Sequence, residues 1–113
     1  MRHVVWAGAG LLILAGCGPS GPNADQIEAI EDAADNRVEQ IEARRAAEAG
    51  RLNAEAATLE RQAANATSYE AARLETQADA LKKEADLVKD HAEAQVRAVR
   101  DQARADKSRL RAQ

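Results

Sequence analysis

The stretch Asn65-Ala66-Thr67-Ser68-Tyr69-Glu70 decides whether this chain is one helix or two. On either side of it lie about 40 residues dominated by Ala, Glu, Arg, Gln and Leu, which are strong helix formers. Asn, Thr, Ser and Tyr are weaker ones, and Thr67 followed three residues later by Glu70 has the pattern of a capping box that opens a new helix. A turn here would fold the chain into a hairpin of two similar arms. Against a turn stands its chemistry: tight connections usually carry Gly or Pro, and this stretch has neither. The expectation is an all-α chain with one long amphipathic, coiled-coil-like helix. A helical hairpin turning near 65–68 is the alternative.

Outward from that stretch the helical signal is nearly unbroken. Asn23-Ala24-Asp25-Gln26 reads as a helix start, with Asn23 as N-cap, Gln26 placed to reach back to it, and Pro22 just outside. From there to Ala112 there is no proline, and Gly50 is the only glycine, a position at which a rod could bend. Residues 23–113 as one helix would reach about 130 Å at 1.5 Å per residue. The apolar pattern agrees. Ile30, Ile41, Leu52, Ala63, Leu74, Ala85 and Val96 recur every 11 residues, and Val88, Val99 and Leu110 form a second such series. Joined through Ile27, Ala34, Val38, Ala49, Ala56, Leu59 and Ala66, the first series follows the surface of a nearly straight helix or a slightly right-handed supercoil. Arg45, Thr67 and Lys89 interrupt it.

Charge supports the same picture. From Asp25 to Glu48 eight acids meet only Arg37, Arg44 and Arg45, whereas from Arg97 onward six bases meet Asp101 and Asp106. Acid at the start and base at the end complement a helix macrodipole, and in the hairpin they would lie side by side. Pairs spaced for local support are Asp79 with Lys83, Glu93 with Arg97, Glu70 with Arg73, and Asp86 with Lys89.

Composition argues against an enzyme. Beyond the first 17 residues there are about a dozen Ile, Leu and Val, one Tyr and no Phe, while Ala exceeds a quarter of the residues. Such a chain buries little apolar area and has little from which to build an enclosed pocket. No catalytic residue, metal ligand or cofactor-binding residue is expected. His91 has Leu87, Val88, Ala94 and Gln95 as its helical neighbours, so no second metal ligand shares its face. Carboxylates on an exposed rod lack the pocket that general acid–base work requires. Ser20, Ser68 and Ser108 have no base arranged beside them, and there is no glycine-rich phosphate loop. The basic end lacks the aromatics that stack bases, so neither nucleic acid nor a small-molecule substrate is an expected partner. The apolar stripe through Ile30, Ile41, Leu52, Ala63, Leu74, Ala85 and Val96 is the candidate surface for a homo-oligomer, its alanines allowing close approach of helices.

The first residues read as an export signal: basic Arg2, an apolar run from Val4 to Leu14, then small residues. That run is shorter than the roughly 20 residues needed to span a bilayer. It ends at Leu14-Ala15-Gly16-Cys17, and Cys17 is the only cysteine. These four residues resemble the lipobox of bacterial lipoproteins. The resemblance implies that residues 1–16 are removed as a signal peptide and that Cys17 becomes the lipidated first residue, carrying acyl chains such as palmitate that hold the protein on a membrane. Residues 17–22, with Gly18-Pro19-Ser20-Gly21-Pro22, then form a flexible tether. Gly18 stands where, in enterobacterial lipoproteins, an Asp favours the inner membrane, which implies the outer membrane, with the chain facing the periplasm.

In plan the chain resembles the murein lipoprotein: lipid, short tether, long helix. That family's covalent link to the cell wall uses a C-terminal lysine, whereas this chain ends Leu110-Arg111-Ala112-Gln113, so a noncovalent wall contact through the basic end is the expectation. The expected function is a lipid-anchored spacer or tether of the cell envelope, without catalysis. Two alternatives are a membrane-surface or stress-protective helix, resembling the 11-residue repeats of late-embryogenesis-abundant and apolipoprotein helices, and an accessory subunit of an envelope complex.

Overall fold

In the computed structural model, which describes residues 23–113, the chain is all-α and folds back on itself. Helix α1 spans Ala24–Ala64 and helix α2 spans Ser68–Arg111, at 1.5 Å per residue about 60 and 66 Å long. The two run antiparallel and pack against each other along their length. Of the two expected forms the chain takes the hairpin, so its reach is about half that of an unbroken rod. The expected signal peptide 1–16, Leu14, Ala15, Gly16 and Cys17 of the lipobox, and the tether 17–22 lie outside the described residues.

The turn occupies Asn65, Ala66 and Thr67 and manages without Gly or Pro. Helix α1 tightens as it ends: the Asn65 and Ala66 amides donate to the Gln62 and Ala63 carbonyls, each at 3.2 Å, in place of bonds one residue further back. The Asn65 side chain donates to the Arg61 carbonyl at 3.2 Å, satisfying one of the last orphan acceptors. Thr67 is extended, at φ −67° and ψ 161°, the ordinary geometry of an N-cap. Its hydroxyl makes no capping bond, and Glu70 pairs with Arg73 rather than closing the expected box. At the other end Asn23 likewise makes no side-chain cap. Its Nδ2 reaches across to donate to the Leu110 carbonyl at 2.8 Å, binding the start of α1 to the end of α2.

The 11-residue stripe is the seam between the arms. The register is symmetric about Ser68 and Tyr69, just past the turn, and sets Ala63 opposite Leu74, Leu52 opposite Ala85 and Ile41 opposite Val96. Val38, Ala49, Leu52, Ala56 and Ala63 of α1 are buried, as are Leu74, Ala78, Ala85 and Ala92 of α2. The tightest cluster joins Ala49, Leu52 and Ala85, flanked by Leu81 and Val88. Small residues on both faces let the backbones approach closely, and among the described residues Leu52 is the one large side chain that is fully buried. Helix α1 runs straight through Gly50, which is exposed and produces no break.

Cross-arm electrostatics favour the same register. Lys107 donates to Glu31 at 2.9 Å near the open end, and Lys82 pairs with Glu60 near the turn. The acidic start and the basic end thus lie side by side. Along α2, Glu70 pairs with Arg73 and Asp86 with Lys89, both as the spacing suggests; Asp101 with Arg104 and Asp106 with Arg109 add two more. Apart from the half-buried Lys107, these pairs are on largely exposed surface, where a pair contributes at most about 1 kcal/mol.

Candidate functional site

Three parts of the hairpin present distinct chemistry. The first is the tip, where Tyr69 follows the turn and is 82% exposed. In the sequence a lone aromatic beside an Ala-rich stripe suggests packing; here the phenol stands in solvent at the far end from residues 23 and 113.

The second is midway along the arms, at Arg45 and Ala92. In the same register these two oppose each other, and both lie on the inner face: Ala92 is buried and Arg45 half-buried. A guanidinium without an ion-pair partner is costly to remove from water, so Arg45 does not fill the seam as an aliphatic side chain would, and grooves lie beside it. One, of 410 Å³, is lined from α1 by Ile41, Arg44, Arg45 and Glu48, and from α2 by Glu84, Leu87, Val88 and His91. Leu87 is 66% exposed at its rim. The other, of 300 Å³, is lined by Glu42 and Arg45 against Ala92, Glu93, Val96, Arg97 and Arg100. Both are shallow and open to water. His91 is exposed, with Nε2 3.2 Å from the amide nitrogen of Gln95, its own helical neighbour. Among the described residues no group of three or more His, Cys, Asp or Glu side chains is placed to hold a metal ion.

The third is the open end, where the start of α1 and the end of α2 meet. Three bases there are engaged, Lys107 with Glu31, Arg104 with Asp101 and Arg109 with Asp106, while Arg111 pairs with no acid among the described residues. Among the described residues Arg37, Arg44, Arg45, Arg61, Lys83, Arg97, Arg100 and Arg111 form no ion pair within 4.0 Å; unengaged cations thus occur along the whole hairpin, and Arg37, Arg44, Arg45, Arg97 and Arg100 gather toward the middle of the arms. Of the titrating groups, Lys82 is moved from its ordinary value: the hydrogen bond from its ammonium to the Glu60 carboxylate, and then the charge of that carboxylate, raise it. That shift belongs to a solvated cross-arm pair, not to a cleft where a proton could be exchanged with substrate.

Compared with protein-family models, with curated proteins and with solved structures, the chain matches none. The site must therefore be read from its own chemistry. No helix among the described residues is long and apolar enough to cross a membrane. The candidate oligomerisation stripe is placed within the hairpin: Leu52, Ala63, Leu74 and Ala85 are buried between the arms, while Ile30, Ile41 and Val96 are half-buried and present part of their surface at the edges. Sequence reasoning had no means to find the grooves, because they depend on which residue of α1 faces which residue of α2. The interruption of the stripe by Arg45 was the one available signal.

Proposed function

We propose that this chain is a lipid-anchored structural element of a bacterial cell envelope, held to the membrane through acyl chains on Cys17 and projecting a helical hairpin into the periplasm. The observation that carries the reading is Leu14-Ala15-Gly16-Cys17 at the end of a short apolar run, with no other cysteine in the chain. The hairpin supports a mechanical role: its grooves are open, and its ionisable groups lie on solvated surface. Anchored at its N-terminal tether, it reaches about 60 Å from the membrane by the length of one arm. The turn and Tyr69 would be its outermost contact. The basic end returns to the membrane side, so the noncovalent wall contact falls to the tip and to the arginines midway along the arms.

The test is intact-mass analysis of the protein extracted from membranes, wild type against Cys17→Ser. A mature mass beginning at Cys17 plus acyl chains, lost in the variant, is the expected result. An unmodified mass in the soluble fraction would overturn the anchor and leave a free helical hairpin.

A further inference from the structure

We propose that Asn65, Ala66 and Thr67 act as a hinge through which the hairpin opens into one continuous helix and exchanges arms with a second copy of this chain, forming an antiparallel dimer. Three observations converge on it. The first is the hinge itself. A fixed helical turn normally depends on a residue that the helix rejects, yet Asn65, Ala66 and Thr67 all accept helical backbone. Asn65 stands at φ −106°, ψ 5°, close to the helical region, and Thr67 departs from it mainly in ψ. No side-chain cap at Thr67 opposes the change. Opening restores hydrogen bonds that the turn gives up.

The second observation is phase. Ala63 and Leu74 are buried on the inner faces on either side of the turn, and between them Ala66 and Glu70 are half-buried. Steps of three, four and four residues connect these positions, so an unbroken helix keeps both inner faces on one stripe. A phase break at the turn would have made the open form expose one arm's seam.

The third is the mirror symmetry of the register. Equal steps from Ser68 and Tyr69, the midpoint of residues 23–113, set Leu52 against Ala85 and bring Glu31 close to Lys107. Two open chains laid antiparallel about their midpoints place α1 of each against α2 of the other in that same register. Every cross-arm contact of the hairpin is then made twice, and only the turn changes. Exchange of identical elements is a low-cost route to a dimer for this reason. In the hairpin residue 23 of a chain lies beside its own residue 110; in the exchanged dimer the two copies of residue 23 stand at opposite ends of the rod, about 130 Å apart.

A cross-link distinguishes the forms. In the full chain carrying Cys17→Ser, the exposed pair Glu60→Cys and Lys82→Cys is joined by a short bis-maleimide after refolding at low and at high protein concentration. Intrachain links give monomers in denaturing gels, whereas exchanged arms give covalent dimers. The expected result is a covalent dimer fraction that rises with refolding concentration. It should rise further with Asn65→Ala and Thr67→Ala, which increase the dimerisation constant on the order of a hundredfold, about threefold for each residue in each chain. Light scattering accompanies the gels. Dimer-sized particles whose links remain intrachain would mean whole hairpins associating side by side and would overturn the proposal, as would monomers at every concentration in both hinge variants.

Discussion

Replacing Leu52 by Ala tests whether the seam between the arms holds this fold. Leu52 is 2% exposed and packs with Ala49 and Ala85, between the partly buried Leu81 and Val88. Truncation removes three carbons from a buried position, about 2.4 kcal/mol at roughly 0.8 kcal/mol for each. A dense core adds a cavity term that brings Leu→Ala losses to about 2–5 kcal/mol. Here two of the four neighbours are alanine and only two helices line the space, so the arms can close part of the gap. The expected loss is therefore about 2–3 kcal/mol, at the lower end of that range. Against the 5–15 kcal/mol of ordinary domains, and with so few buried side chains, that is a large share of the total. Urea unfolding followed by circular dichroism, at concentrations low enough to keep the chain monomeric, measures it. Leu87→Ala is the internal control: at 66% exposure it should change stability by less than about 0.5 kcal/mol. Equal effects of the two substitutions would refute the assignment of Leu52 to the inner face.

Other consequences follow from single positions. Gly50→Ala should stabilise the hairpin by about 0.5–1 kcal/mol in thermal unfolding, since the helix is unbroken there and an added Cβ would meet nothing within 4 Å; a loss of stability would show the site to be crowded. Removing the Glu31–Lys107 pair with Glu31→Gln should cost no more than about 1 kcal/mol and cost less in high salt. The Lys82–Glu60 pair contributes stability that is fully present below the ordinary lysine value of 10.5 and is lost as pH rises through the raised value of the folded chain. In an NMR titration of Lys82, Glu60→Gln should bring its midpoint back down; an unchanged midpoint would mean the two side chains do not meet in solution.

Much of the fold was legible in the sequence. The helices start after Asn23 and after Thr67, the two places the sequence offers, although neither side chain makes the expected cap, and the inner positions Ile30, Ile41, Leu52, Ala63, Leu74 and Ala85 follow from an 11-residue spacing. What the spacing does not contain is the partner. A stripe that stays in phase through residues 65–67 serves a rod pairing with another rod and a hairpin pairing with itself equally well. The balance is set by loop closure, which is inexpensive for a connection of three residues, and by Asn65 and Thr67 ending and starting helices without Gly or Pro. Ala92 escaped notice because the inner face of α2 leaves the 11-residue series and steps through Ala78, Leu81, Ala85, Val88 and Ala92 at spacings of three and four. Helical spacing puts Gln95 beside His91, and the two side chains meet; the groove that His91 borders needs Ile41 and Arg45 from the other arm, which no local pattern supplies.

The folding back of the chain is tested most directly by one distance. Spin labels at the exposed positions 35 and 101, introduced as Asp35→Cys and Asp101→Cys in the Cys17→Ser chain, lie at the same level of the hairpin on opposite arms. With labelled protein diluted into unlabelled protein at low concentration, a separation of about 10–25 Å is expected, one interhelix spacing plus two label arms. A separation near 100 Å, the rise of a continuous helix over the intervening residues, would show that the monomer is a rod and that the hairpin is not its fold.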